Sequence, residues 1–182
     1  MKTHELPELL DEVRDRLFRA IAYCDDTCMQ FTDRDGRWSA SQILHHLVLS
    51  ERQFSGLLQH LMDGASGNAE ENSTPPEEVP DSETLFAMES QMLSVPAGEG
   101  SEPESGYDAD TLRRQLDEVR AATRRLLERA LSCDCSGITY EFEGLGTFNI
   151  YQLFLFLAVH ERAHGAQTDE VVRDARNARG QG

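Results

Sequence analysis

Long hydrophobic runs and basic residues are both scarce in this 182-residue chain. The longest apolar run, Leu153 to Val159, is much shorter than the about 20 residues that a membrane-spanning helix needs, so we expect no membrane segment. The amino terminus lacks a basic region followed by an apolar stretch and a cleavage site, which predicts a cytoplasmic protein. The net charge of -16 disfavours a nucleic-acid partner, because lysine and arginine must neutralise the phosphates in such complexes.

Cysteine is also sparse, and the four that are present are too few to predict a disulfide framework without a secretion signal. Cys24 and Cys28 stand four residues apart, and Cys133 and Cys135 form a C-x-C pair. Together they offer four thiolates, the ligand set of many structural zinc sites. The spacing differs from C-x-x-C, however, and small buried thiols are the commoner explanation for such residues.

Apolar residues recur at helical spacing in four segments, which predicts four amphipathic helices. These predicted helices cover residues 5–31, 39–62, 110–131 and 149–172, with N-caps at Ser39, Asp110 and Asn149. Between the last two helices, residues 136–148 are expected to form a loop or a short hairpin. The chain is therefore predicted to be one all-α domain over residues 1–172, followed by a frayed polar tail over residues 173–182.

The segment between the second and third predicted helices, residues 63–109, has a different composition. From Asp63 to Asp110 there are thirteen acidic residues and no lysine or arginine, which indicates a solvated acidic crossover. Residues 82–93 carry enough apolar side chains for one short helix, although a partly ordered loop fits them nearly as well. Antiparallel neighbours need only about 2 to 8 connecting residues, so the length predicts parallel second and third helices in an up-down-down-up four-helix bundle.

This topology places the two cysteine pairs at opposite ends of the bundle, so a shared zinc site is excluded by distance. Histidine is the better candidate ligand. His160 and His164 are four residues apart on the last helix and share one face, where they could be hydrogen-bonded core residues or metal ligands. His46, on the border of the apolar face of the second helix, lies at the same depth, whereas His45 points nearly opposite. A third imidazole at this level favours a metal site formed by His46, His160 and His164.

The string from His160 to His164, H-E-R-A-H, also matches the zinc-protease motif H-E-x-x-H, whose glutamate is a general base. The rest of the chain is helical and lacks the strand-rich half of that fold, so we reject a protease. Arg162 points away from both histidines and is predicted to be a surface charge or part of a dimer interface.

Trp38-Ser39 followed by His46-Leu47, together with the run from His160 to Gln167, resembles the DinB/YfiT-like superfamily of metalloenzymes. The resemblance covers all four helices and implies an up-down-down-up bundle. It further implies a divalent metal, zinc or nickel, held by His46, His160 and His164 with positions open to water or substrate. The long acidic crossover departs from the family pattern and could cover or reshape the site.

Members of this superfamily include low-molecular-weight thiol transferases and a mycothiol-dependent isomerase. The resemblance therefore implies a metal-dependent transferase or isomerase that acts on a small-molecule substrate with a small thiol cofactor. A homodimer is compatible with this interpretation. The alternative is a non-catalytic metal-binding or stress-related interaction bundle whose site is structural.

Two further side chains are candidates near the metal site. Glu51, five residues after His46, could accept a hydrogen bond from a ligand, act as a general base, or pair with an arginine. Gln167, three residues after His164, could orient that ligand or be a surface amide. Four aromatic residues are expected either to line the mouth of the pocket or to pack in the core: Tyr140, Phe142, Phe148 and Tyr151.

Overall fold

The computed structural model describes residues 1–33, 36–65, 73–93, 97–142 and 144–180. Helix dominates this part of the chain, as the predicted all-α class requires. After a 3-10 turn at Thr3–Glu5, the elements follow in the order α1 (Leu6–Ala20), α2 (Asp26–Met29), α3 (Ala40–Gly64), α4 (Ser82–Ala87), α5 (Glu89–Met92), α6 (Ala109–Ala130), β1 (Thr139–Phe142), β2 (Gly146–Asn149) and α7 (Ile150–Gly180). None of the described helices is long and apolar enough to cross a bilayer.

Two of the predicted N-caps start the two helices that carry the candidate ligands. The backbone N–H of Gln42 donates to Ser39 Oγ, and the backbone N–H of Ser39 donates to Gln42 Oε1. Asn149 and Gln152 make the same reciprocal pair at the start of α7. Each pair satisfies two backbone donors that the first turn of a helix leaves without partners.

The start of α6 lies slightly upstream of its predicted position. The side chain of Asp108, and not that of Asp110, accepts the backbone N–H of Thr111, so the helix begins at Ala109. The two shorter predictions are confirmed. The segment predicted to hold one short helix holds two, Ser82–Ala87 (α4) and Glu89–Met92 (α5), and the strands Thr139–Phe142 and Gly146–Asn149 pair in an antiparallel hairpin in which Tyr140 lies opposite Phe148.

The predicted first helix over residues 5–31 is wrong beyond Ala20, where α1 ends. A new short helix, α2, begins because the side chain of Asp25 accepts the backbone N–H of Cys28. Cys24 and Cys28 form a disulfide across this break, with their Cα atoms 5.2 Å apart. The prediction that these two cysteines are small buried thiols is therefore wrong.

The predicted polar tail is also wrong, because α7 continues to Gly180. Its last turns have long-range partners that stabilise helix: Ala175 is buried, and the guanidinium of Arg179 binds the carboxylate of Asp25. A second carboxylate near this end, that of Asp174, accepts from Arg37 at 2.8 Å.

Paired contacts between the long helices give their relative directions. Along α3 and α6 the pairs occur in the same order in both helices: Glu51 with Arg120, Ser55 with Thr123, and Asp63 with Arg129. These two helices therefore run in the same direction, as the length of the crossover predicts. Along α3 and α7 the order is reversed, because His46 contacts His160 while Phe54 stacks on Phe156.

A buried ion-pair network joins the four long helices at mid-height and consists of Arg14 on α1, Glu51 on α3, Arg120 on α6 and Glu161 on α7. Arg14 binds both carboxylates, with its Nη2 2.6 Å from Glu51 Oε2, and Arg120 Nε lies 2.8 Å from Glu51 Oε1. Arg120 also binds Glu161. Burial raises the pKa of Glu51, but Arg120 and Arg14 outweigh this effect and leave that pKa below its ordinary value.

Removing one cation of this network should be strongly destabilising. We expect Arg120→Met to lower the free energy of unfolding by about 3–5 kcal/mol, because Glu51 and Glu161 would be left buried with incomplete compensation. The measurement is urea denaturation followed by circular dichroism. Arg125→Met, at an exposed position of the same helix, should change this free energy by less than about 0.5 kcal/mol. Equal urea midpoints for the two variants would contradict a stabilising network.

The Cys24–Cys28 disulfide predicts a simple labelling result. Protein purified without reductant and unfolded in denaturant should take up two iodoacetamide labels, because only Cys133 and Cys135 carry free thiols. After reduction it should take up four. Peptide mapping assigns the labels, and uptake of four labels without reduction would show that the disulfide does not form in the purified protein.

Candidate metal centre

Three histidines from two helices meet at one level of the fold. His46 is on α3, and His160 and His164 lie one turn apart on α7. One ring nitrogen from each lies within 4.8 Å of those from the other two, and the Nε2 atoms of His46 and His160 are 3.4 Å apart. His46 and His164 are buried, while His160 keeps some exposure. The structure thus brings together the three residues that the sequence analysis selected.

The surroundings of these imidazoles keep them neutral. Burial is the main cause that lowers the pKa of His46, lowers that of His164 to about 4, and moves that of His160 well below its ordinary value. For His160 and His164 the neighbouring imidazoles add to the effect. A neutral imidazole has one nitrogen lone pair, so three neutral rings that converge within coordination distance fit a divalent ion.

Hydrogen bonds at the opposite ring nitrogens orient two of the histidines. His164 Nδ1 lies 2.9 Å from Gln167 Oε1, and His46 Nδ1 lies 2.8 Å from the backbone oxygen of Ser101. Both partners are oxygens that only accept, so the proton of each imidazole resides on Nδ1. The lone pair is then on Nε2, the nitrogen available to bind a metal, and Ser50 Oγ lies 3.3 Å from this atom of His46. Gln167 therefore contacts a candidate ligand, whereas Ser101 could not be anticipated from any local pattern.

Glu161, the glutamate of the H-E-x-x-H string, has a different role from that in a zinc protease. Its carboxylate is 2% exposed and is bound by Arg14 and Arg120. Glu51 pairs with the same two arginines and also accepts a hydrogen bond from Thr123 Oγ1 at 2.8 Å. Of the roles considered for Glu51, arginine pairing is the one that the structure shows.

His45 is turned away from the three candidate ligands, as predicted, but it is not on an open surface. Its side chain is buried beneath the crossover, where its Nδ1 accepts the backbone N–H of Glu104 at 2.9 Å. The ring also packs on Tyr107, with centroids 4.5 Å apart. The helical phase thus gave the correct orientation but could not show what covers that side of α3.

Trp38, the only tryptophan of the chain, lies against the site just before α3. Its ring centroid is 5.0 Å from that of His46 and 6.3 Å from that of His164, on which it stacks. The proximity explains why a tryptophan at this spacing accompanies the histidines, since its ring packs against two of them.

The histidines open onto a pocket of about 770 Å³. Its walls come from α3, α5, the crossover, the hairpin tip and α7, with the main apolar contributions from Phe54, Met88, Met92, Leu93, Leu145, Phe156 and Leu157. The acidic crossover thus covers one side of the site. Met88, Met92 and Leu93, which line the pocket there, belong to the segment for which the sequence predicts a short helix.

The four aromatic residues named from the sequence belong to the core and not to the pocket wall. Phe142 and Phe148 pack with each other at 5.6 Å between ring centroids. Tyr151 is fully buried, and its hydroxyl donates to the backbone oxygen of Ala130. The core-packing alternative is therefore the one observed for these residues.

The pocket contains polar groups but little charge. Among the described residues that line it there is no aspartate or glutamate, and Arg37 is the sole arginine or lysine. Arg37 is itself bound by Asp33, Glu170 and Asp174. The described part of the lining therefore presents imidazoles, amides and hydroxyls, and none of its residues carries a carboxylate.

Arg162, predicted to be a surface charge or part of a dimer interface, is half-buried against the crossover. Its guanidinium binds the carboxylate of Glu89 and lies 4.8 Å from the ring centroid of Phe86. Arg162, on α7, therefore links this helix to Phe86 on α4 and to Glu89 on α5, next to the pocket.

These features define a helical protein with three convergent histidines that could hold a metal ion at the base of a pocket. The family model of the DinB superfamily matches residues 9–168, so the chain belongs to this superfamily. This match confirms the resemblance that Trp38 and the three histidines indicated. Comparisons with curated proteins and with solved structures gave no significant match.

Proposed function

We propose that this protein is a metal-dependent enzyme whose divalent ion, zinc or nickel, is held by His46, His160 and His164. The observation that carries the proposal is the convergence of three neutral imidazoles on a pocket large enough for a small molecule. We also assign the four long helices to the up-down-down-up bundle that the superfamily resemblance implies. Support comes from the parallel contacts of α3 with α6 and the antiparallel contacts of α3 with α7.

Each residue around the ion has a definable task. The two oriented ligands, His46 and His164, present Nε2 to the centre. The Ser101 carbonyl accepts the Nδ1 proton of His46, and Gln167 Oε1 accepts that of His164. A divalent ion held by these three imidazoles would supply Lewis acidity, which would favour the thiolate form of a small thiol beside it. The protein side chains keep the three nitrogen donors in place and leave one side of the centre open to the pocket.

We further propose that the reaction is transfer to, or isomerisation of, a small molecule with the help of a thiol. Hydrolysis of the zinc-protease type needs a carboxylate base beside the metal, and Glu161 is instead engaged by Arg14 and Arg120. In a transfer, the thiol sulfur forms a bond to a carbon of the substrate. The leaving group departs with the electron pair of the broken bond, and the thiol proton passes to solvent. Such a step needs no carboxylate from the pocket wall.

The residues that line the pocket favour a substrate that is apolar or has both apolar and polar parts. Phe54, Phe156 and Leu157 form an apolar wall next to the histidines, while Ser50, Gln53 and Gln91 supply neutral hydrogen-bonding groups. Such walls bind the hydrocarbon part of a ligand, and a few polar groups fix its orientation. The alternative, a non-catalytic metal-binding bundle, requires the same ion but gives this pocket no purpose.

Metal binding can be measured through Trp38. We expect Ni²⁺ or Co²⁺ to quench its fluorescence with saturation at one equivalent, because its ring packs against two ligand imidazoles and paramagnetic ions quench at short range. Alanine substitution of His46, His160 or His164 should abolish stoichiometric binding. His60→Ala, at an exposed position of α3, is the matched control. Stoichiometric quenching in folded His46→Ala would rule out the three-histidine centre.

Thiol use is tested on the cobalt-loaded protein. We expect glutathione, cysteine or mycothiol to change the visible spectrum, since a thiolate is a strong ligand for such ions. Conjugation of monochlorobimane should depend on both metal and thiol and fall at least about tenfold in His160→Ala, with His60→Ala unchanged. A cobalt-loaded protein with no spectral response to any of these thiols would instead support the non-catalytic alternative.

A further inference from the structure

Two consecutive histidines of α3 contact the same stretch of the crossover, residues 98–107. The Nδ1–H of His46 donates to the backbone oxygen of Ser101 at 2.8 Å. One residue earlier, His45 Nδ1 accepts the backbone N–H of Glu104 at 2.9 Å. These two histidines point to different sides of α3, so the crossover wraps around the helix at the level of the candidate metal centre.

The same stretch is attached to the protein on both sides of these contacts. At its carboxyl end, the backbone oxygen of Tyr107 accepts from Ser41 Oγ at 2.9 Å and from Gln30 Nε2 at 3.0 Å. At its amino end, Gln53 Nε2 donates to the backbone oxygen of Glu99 at 3.0 Å. Hydrogen bonds from α3 therefore hold both ends of the stretch.

A tight turn directs the Ser101 carbonyl toward His46. The backbone N–H and the hydroxyl of Ser101 both donate to the backbone oxygen of Gly98. Gly100 has a φ of +79°, a conformation that favours glycine, and a Cβ at this position would lie 2.7 Å from Gln53 Nε2. Ser101 itself is only 4% exposed. The turn thus depends on a glycine for its positive φ, while the nearby Gln53 amide is the end of a flexible side chain that can move aside.

We propose that this crossover stretch is part of the metal centre: the Ser101 carbonyl fixes the tautomer and ring orientation of His46, so that affinity for the ion depends on the docked crossover. The inference rests on the proposed metal centre. A backbone carbonyl can only accept, so it holds the proton at Nδ1 and leaves the lone pair on Nε2, 3.4 Å from His160 Nε2. Without this acceptor Nδ1 still has Ser50 Oγ at 3.5 Å, but a hydroxyl can donate as well as accept, so the other tautomer becomes accessible and metal binding must select against it.

The turn at Ser101 also connects the metal centre with the pocket. Gly98 and Ser101 line the pocket beside His46. A ligand that contacts this turn therefore touches the group that orients a metal ligand. Binding of a pocket ligand and binding of the ion should be coupled through this turn, in whichever order they bind.

The first test disturbs the turn without touching a ligand. We expect Gly100→Ala to raise the dissociation constant for Zn²⁺, measured by competition with a chromophoric chelator, by about 10- to 100-fold, the usual effect of losing a group that orients a ligand. Gly144→Ala is the matched control, because Gly144 has a φ of +80° in the hairpin turn and no atom within 4 Å of its Cβ position. The control should change the constant by less than about twofold. An unchanged constant in Gly100→Ala would overturn the proposal.

A second variant guards against a folding defect at Gly100. His45→Phe keeps an aromatic ring against Tyr107 but removes the acceptor for the Glu104 N–H. It should still bind one Zn²⁺, since all three ligands remain, but more weakly than the wild type. Affinity equal to that of the wild type would show that the His45 contact does not hold the crossover on His46.

Nitrogen NMR of the imidazoles in the metal-free protein separates this inference from the proposed function. His46 should show an Nδ1–H tautomer with slow exchange in the wild type and in Gly144→Ala, and should lose it in Gly100→Ala. If the wild type has this tautomer but binds no Zn²⁺, the metal centre fails while the contact stands. If His46 of the wild type is protonated at Nε2, the role proposed for Ser101 is wrong whatever the metal does.

Discussion

The buried network of Arg14, Glu51, Arg120 and Glu161 is the constraint on which the rest of the structure depends. Each long helix contributes one charge, two positive and two negative, and each of the four residues is at most 5% exposed. The network lies between two apolar clusters of the core. Charges removed from water require close partners, so the helices must keep the rotation and register that satisfy all four. Because Glu161 must point toward Arg14 and Arg120, the rotation of α7 about its axis is fixed. At this rotation His160 and His164 face the pocket.

The H-E-x-x-H string shows why a short motif determines less than its spacing suggests. Spacing fixes which residues share a helix face, and His160 and His164 do share one. It does not fix what the intervening glutamate meets. The partners of Glu161 are Arg14 and Arg120, which lie 147 and 41 residues away in the sequence. The same five letters can therefore position a protease base in one fold and a structural ion pair in another.

Features that depend on local spacing and capping could be predicted from the sequence, while features that depend on distant partners could not. Helical phase and depth selected the three histidines, and Ser39 and Asn149 marked the starts of α3 and α7. The break after Ala20 and the extension of α7 to Gly180 depend on Asp25, which caps α2 and binds Arg179 at the end of the chain. The acceptor of the His46 Nδ1 proton is a backbone carbonyl. Every residue has a backbone carbonyl, so no residue type in the sequence marks the position.

The acidic crossover illustrates how composition can be interpreted correctly and still incompletely. Its charge indicated a solvated segment, and Glu99, Glu102 and Glu104 are indeed exposed. Ser101, in the middle of these acids, is nevertheless buried against His46 and lines the pocket. The outward carboxylates keep one side of the segment hydrated, which leaves its backbone and small residues to face the site. A segment too polar to form a core of its own can thus complete a site, because the contacts it supplies there are backbone groups held in place by α3.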